Sequence, residues 1–202
     1  MTSLKIEFKK KAGIPFGKTK ISGIGFHDLI ENAESISLSD ADIMRICDNK
    51  VVIYLYHELE KFQTIDEALG PHNAMIILYQ SKQTDGHWVS VFKVDDNTIE
   101  FFDSYGFKID QQLPFFPYNL RVHNEIAVPH LTHLIENSNY KVISNDIDFQ
   151  TIRKDVNTCG RFSSLRVKMR STPLKSFQAL LLNNKDNNPD FYVSALTISY
   201  SF

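Results

Sequence analysis

An α+β domain is the fold class the sequence predicts, and three observations carry it. Two strand-like runs, 87–94 and 98–102, flank the turn residues Asp95-Asp96-Asn97 and read as a hairpin. Short continuous apolar stretches such as Ala74 to Tyr79 have the length of buried strands. Other segments place apolar residues at helical spacing behind recognisable starts, as in Ser39-Asp40-Ala41-Asp42 before Ile43, Met44, Ile46 and Cys47.

The bounds agree with one domain and a short lead. The chain has 202 residues, 43% hydrophobic and 23% charged, enough to bury a sizeable core rich in its 15 Phe and 8 Tyr. A net charge of −2 gives no overall pull toward nucleic acid or membrane. Two distant cysteines, Cys47 and Cys159, make neither a disulfide framework nor a metal motif, which fits a reducing compartment. No apolar run is long enough to span a bilayer or act as a signal segment. The expectation is a soluble, intracellular monomer.

Residues 1–25 form a basic lead, with Lys5, Lys9, Lys10, Lys11, Lys18 and Lys20 against Glu7. A helical pattern begins at Phe26, and the Ser39 cap opens a second. Cys47 shares its core spacing with Ile43 and reads as a small buried hydrophobe. Val51 to Tyr56 is a strand or a helix entry, followed by a helical stretch through Leu59, Ile65 and Leu69. Gly70 to Asn73 is a turn before the Ala74–Tyr79 strand, and Gln80 to Gly86 is a polar loop. Beyond the hairpin, Pro114, Pro117 and Pro129 break up 107–139, where Leu131, Leu134 and Ile135 mark one short helix. Tyr140 to Ser144 reads as a strand. Apolar spacing from Phe162 to Met169 marks a helix that opens at Cys159. Pro173 starts another through Leu174, Phe177, Leu180 and Leu181. Asn183 to Pro189 is a loop, and the tail ends in an apolar segment.

The chemistry gathers at Asn157-Thr158-Cys159-Gly160-Arg161. A cysteine in the first turn of a helix faces unpaired N–H groups and the positive end of the helix dipole, both of which favour negative charge on sulfur. Thr158 or Asn157 can cap that helix. Gly160 carries no side chain to obstruct a substrate approaching the sulfur. In the hairpin, cross-strand partners sum to about 190–192, which puts His87 opposite residue 103 or 105. Either register leaves His87 and Asp103 on one face, so the carboxylate can fix the imidazole tautomer. Gln150, nine residues before Cys159, is the best side-chain amide to join the Cys159 N–H at an oxyanion. Trp88, on the other face of the strand, is a core residue or a wall of a narrow substrate channel.

These pieces resemble a known group. Gly86-His87-Trp88, Phe101-Phe102-Asp103-Ser104-Tyr105-Gly106-Phe107, Gln150 and Thr158-Cys159-Gly160 are similar to the cysteine-protease clan of the adenovirus maturation protease and the SUMO proteases. With Leu38 to Ile43 included, the run looks most like proteases of virophages, polinton-type elements and large DNA viruses. It covers roughly 38–170. Gln150 stands two or three residues farther from the cysteine than in the adenovirus or SUMO enzymes, and the acid is Asp, as in SUMO proteases.

The resemblance implies a mixed, largely antiparallel central sheet flanked by helices, with the nucleophile at the N-terminus of a central helix. Residues 26–202 would be a papain-like cysteine protease domain of the adenovirus/SUMO-protease type. Cys159, His87, Asp103 and Gln150 would be catalytic, with Trp88 and Gly160 against substrate. No cofactor or metal is called for. Viral capsid or core precursor proteins would be the substrates, cut in the virion or the host-cell cytoplasm. The basic lead would meet a DNA or peptide activator. Ile21-Ser22-Gly23-Ile24-Gly25 matches the adenovirus-type cleavage pattern and suggests self-cleavage between Ile24 and Gly25. Three rivals share the scaffold: an isopeptidase for ubiquitin-like modifiers, an acyltransferase, and a virion protein without catalysis.

Overall fold

The computed structural model describes residues 25–80, 86–116, 118–123, 127–183 and 188–200. Residues 1–24 of the basic lead, Ile24 among them, and 81–85 of the expected polar loop lie outside the described residues. Helix α1 (Phe26–Ser35) and helix α2 (Asp40–Ile46) open the described chain. The expected Ser39 cap is present: Ser39 N and Oγ donate to Asp42 Oδ2 at 3.0 and 2.6 Å, and Asp42 N donates back to Ser39 Oγ at 3.3 Å. Strand β1 (Val52–Leu55) follows.

The next stretch departs from expectation. One helix through Leu59, Ile65 and Leu69 is replaced by a 3₁₀ turn (Tyr56–Lys61) and a separate helix α3 (Ile65–Leu69). Thr64 and Glu67 form their own capping box, so the chain restarts there rather than running on. Strands β2 (Ala74–Gln80), β3 (Gly86–Asp95) and β4 (Thr98–Phe102) come next. The proline-broken region holds helix α4 (Tyr118–His123), which the sequence pattern did not reveal, and the expected helix α5 (His130–Glu136). Strand β5 (Lys141–Ser144) precedes helices α6 (Cys159–Lys168), α7 (Leu174–Leu182) and α8 (Pro189–Thr197).

The five strands form one sheet in sequence order. The two central pairings, β2–β3 and β3–β4, are antiparallel; the flanking pairings, β1–β2 and β4–β5, are parallel. The sheet is mixed and flanked by helices on both faces, as expected. Odd-numbered residues of β2 and β3 (Met75, Ile77, Tyr79, Val89, Val91) pack with Leu59, Ile65, Leu69, Leu131 and Leu134 on one side. On the other side Ala74, Ile76, Trp88 and Phe92 meet α2 and α6, while Phe102 meets Phe162, Phe177 and Val193.

α6 is the central helix, and its polar residues from Arg161 to Arg166 are buried. Arg166 donates from Nε and Nη2 to the two oxygens of Glu100 at 2.6 and 2.8 Å, with both side chains about 1% exposed. The guanidinium also lies over the rings of Phe92 and Phe177, 5.0 Å from each centroid. This pair ties α6 and the chain after it to β4. Removing the acid alone strands a buried cation. Glu100→Ala is therefore expected to cost about 3–5 kcal/mol, measured by urea unfolding. A loss below about 1 kcal/mol would show that the pair fastens nothing.

Candidate active site

The site forms where β3 begins, β4 ends and α6 starts. The β3–β4 ladder pairs Ser90 with Phe102, Val91 with Phe101 and Phe92 with Glu100, a constant sum of 192. Continued past the last pair, that register sets residue 105 opposite His87. The ring of Tyr105 stacks on the imidazole, with centroids 4.8 Å apart and planes at 27°. Asp103 is the diagonal neighbour, fully buried, with Oδ1 3.0 Å from His87 Nε2. The contact is an ion pair whose N–H direction misses strict hydrogen-bond geometry.

The turn after β4 aims this carboxylate. Oδ1 of Asp103 accepts from Tyr105 N at 2.7 Å, and Gly106 N donates to Asp103 O at 3.1 Å. Gly106 has φ +72°, and a Cβ there would come within 3.2 Å of the backbone of Asp146 and Ile147, so only glycine closes this turn. Asn145, just past β5, donates through Nδ2 to Asp103 O and to Ile147 O, each at 2.7 Å.

With Nε2 turned to Asp103, Nδ1 is the imidazole nitrogen left for Cys159. Burial opposes a charge on His87. The Asp103 carboxylate outweighs it, a hydrogen bond to Cys159 and the charge on its sulfur add to the effect, and the pKa is pushed up from 6.5 to about 10. Burial pushes the Tyr105 phenol up as well, with Cys159 and Asp103 adding to it, so the ring over His87 stays neutral. Cys47 is the contrasting thiol: buried under α6, with Sγ 3.6 Å from Ser164 O, it is pushed up to about 12 by burial.

Gln150 is buried 46 residues beyond Ser104 in sequence, and Ser104 holds both of its ends. Ser104 Oγ donates to Gln150 Oε1 at 2.7 Å, and Gln150 N donates to Ser104 O at 3.1 Å. With its oxygen engaged, the amide has its NH₂ group to offer. Cys159, His87, Gln150 and Tyr105 line one cleft of about 490 Å³ with Gly86, Arg153, Lys154, Val156 and Asn157.

Of Thr158 and Asn157, the two N-cap candidates for α6, the cap position falls on Thr158, and neither side chain caps the helix. The Thr158 hydroxyl donates to Asp190 Oδ1, and Asn157 Nδ2 donates to Ser35 O at 2.7 Å. The first-turn N–H groups of α6 are thus left without a side-chain cap. Gly160 and Trp88 meet each other: a Cβ at 160 would lie 3.2 Å from Trp88 Cδ1 and from Leu38 Cβ. Trp88 is a core residue, and the missing side chain at 160 lets α6 approach β3.

Tyr105 and Ser104 stand in the motif quoted from the sequence without a role of their own, and Asn145 is not singled out there. The register arithmetic contained Tyr105, since it already named residue 105 as a partner of His87; the other two left no periodic signal. Among the described residues, ligand-type atoms converge closely enough for a metal at His27, Asp28 and Glu31, all exposed, and none of these lines the cleft. No helix among the described residues is long and apolar enough to cross a membrane.

No family model matches the chain. The uncharacterized protein V9 of Sputnik virophage is 36% identical over 168 residues, covering 82% of this chain and 96% of V9. The crystal structure of the ASFV pS273R protease aligns with 82% of this chain and 68% of its own, at 15% identity and a TM-score of 0.43. The central domain of Lpg1148 from Legionella pneumophila aligns with 81% of this chain and 98% of its own, at 17% identity and a TM-score of 0.37.

Because the proton on His87 is held mainly by Asp103, its stabilising effect is full below about pH 6.5 and is lost as pH rises through about 10. Asp103→Asn is expected to lower the His87 pKa by about one to three units, read by NMR titration of its ring protons. An unchanged titration would remove Asp103 from the account.

Proposed function

The chain belongs to the family of the Sputnik virophage protein V9, and we propose that it is a cysteine endopeptidase that processes viral capsid or core precursor proteins. The observation that carries this reading is the cleft in which Cys159 and the Asp103-paired His87 face a common space with Gln150. A thiol protease needs a nucleophile, a base, an orienter and oxyanion donors, and each has a residue here.

The steps follow from the placement. His87 holds the proton of Cys159, and Sγ attacks the peptide carbonyl carbon. The carbonyl π electrons move to oxygen, where the Gln150 amide and the Cys159 N–H meet the negative charge. Collapse re-forms the C=O bond and breaks the C–N bond, and His87 gives its proton to the departing amine. Water then attacks the thioester, His87 takes its proton, and the C–S bond breaks to release the acid. Asp103 stays ionised throughout, holding the imidazole by Nε2. Because His87 must carry a proton to release the amine, activity is lost as pH rises through about 10. No step calls for a metal or an organic cofactor.

Substrate choice is part of the proposal. A viral family points to virion precursors in the virion or the host cytoplasm, and the basic lead is assigned to a DNA or peptide activator. The enzyme is taken to act as a monomer. Co-expression with the capsid precursors of the virus that encodes the chain tests this. Mass spectrometry is expected to find new termini that vanish with Cys159→Ala, and the same spectra read a cut between Ile24 and Gly25. Precursors that stay intact beside an active, probe-reactive enzyme would remove capsid processing.

A further inference from the structure

Outside the four residues of the catalytic proposal, one buried carboxylate touches both arms of the site. Asp190 sits in the first turn of α8 and is 1% exposed. Its Oδ2 accepts from Thr151 N at 2.9 Å, and its Oδ1 accepts from the Thr158 hydroxyl. Thr151 follows Gln150 and Thr158 precedes Cys159. One carboxylate therefore closes the neck of loop 151–158 and fixes how far the Gln150 amide stands from the Cys159 N–H.

We infer that Asp190 is a positioning residue for the oxyanion site, setting the span between its two donors through Thr151 and Thr158. This rests on the acyl-transfer reading proposed above. An oxyanion site works only when both donors are aimed at the place the oxygen will occupy, and losing one costs about a hundredfold or more. The loop has other fastenings, but they act elsewhere. Asn157 N donates to Glu34 O at 2.7 Å and Asn157 Nδ2 to Ser35 O, which moor the loop to the end of α1 without linking its two ends. Gln150 is held by Ser104, and α6 is held by Ser163 Oγ donating to Trp88 O at 2.9 Å. Asp190 is the described residue that bridges the two halves. It also explains why Thr158, placed at the N-cap, spends its hydroxyl away from the helix.

The test separates acylation, which passes through an oxyanion, from alkylation, which does not. Burst acylation of Cys159 by the p-nitrophenyl ester of N-acetylglycine is compared with alkylation by iodoacetamide in the full chain. Asp190→Asn keeps the shape but can accept through one atom, and Thr158→Val removes one end of the clamp. Both are expected to slow acylation about tenfold or more and to leave alkylation within about twofold. Thr158→Ser keeps the hydroxyl and restores acylation. Unchanged acylation in Asp190→Asn and Thr158→Val overturns the inference while the protease reading stands. A parallel fall in both rates also overturns it, because Asp190 would then act on the thiol or the fold. A wild-type Cys159 that acylates no faster than Cys47 removes the protease reading itself.

Discussion

Helix α6 lies so close to β3 that even a Cβ at position 160 would press on Trp88 and Leu38, and the rest of the site depends on that approach. Gly160 rests against Trp88 and Leu38, and Ser163 donates to the carbonyl of Trp88. Trp88 is the neighbour of His87 on the strand, while Gly160 is the neighbour of Cys159 on the helix. Packing between the two inner residues thus fixes the two outer ones side by side, although 72 positions separate them in sequence. The Glu100–Arg166 pair holds the far end of the same helix to β4. A helix pinned at both ends by buried contacts can present a sulfur with little freedom to wander.

Electrostatics divides the cleft into unlike parts. The imidazole is held charged by a carboxylate that is itself out of water, and Tyr105 covers its face without adding charge. In the proposed reaction the oxyanion would meet the start of α6, whose N-cap hydroxyl turns to Asp190 and leaves the first-turn N–H groups without a side-chain cap. The second thiol, Cys47, lies under the same helix, yet burial is the largest influence on it and pushes its pKa up to about 12. Two cysteines on one helix layer are therefore separated by environment and not by residue type.

Much of this was legible because its causes are local. The Ser39 box, the Asp95-Asp96-Asn97 turn and the period-two strands each rest on a few adjacent residues. The hairpin sum already placed Asp103 beside His87, and its other value, 105, marked the stacking tyrosine. What escaped was nonlocal or broke the binary pattern. α8 buries Asp190, Ser194 and Thr197, and α6 buries Arg161, Ser163 and Arg166, so polar residues sit where a core pattern expects apolar ones. Side-chain destinations escaped too: nothing near Thr158 in sequence shows that its hydroxyl turns to a residue 32 positions on.

The central claim is that the pairing with His87 makes Cys159 a nucleophile while Cys47 stays inert. Competitive alkylation at pH 7, resolved by mass spectrometry into the two cysteines, measures it most directly. The account predicts that Cys159 reacts at least about tenfold faster than Cys47 and that His87→Ala removes most of the difference. Equal rates in the wild-type chain, or a Cys159 rate indifferent to His87, would contradict it.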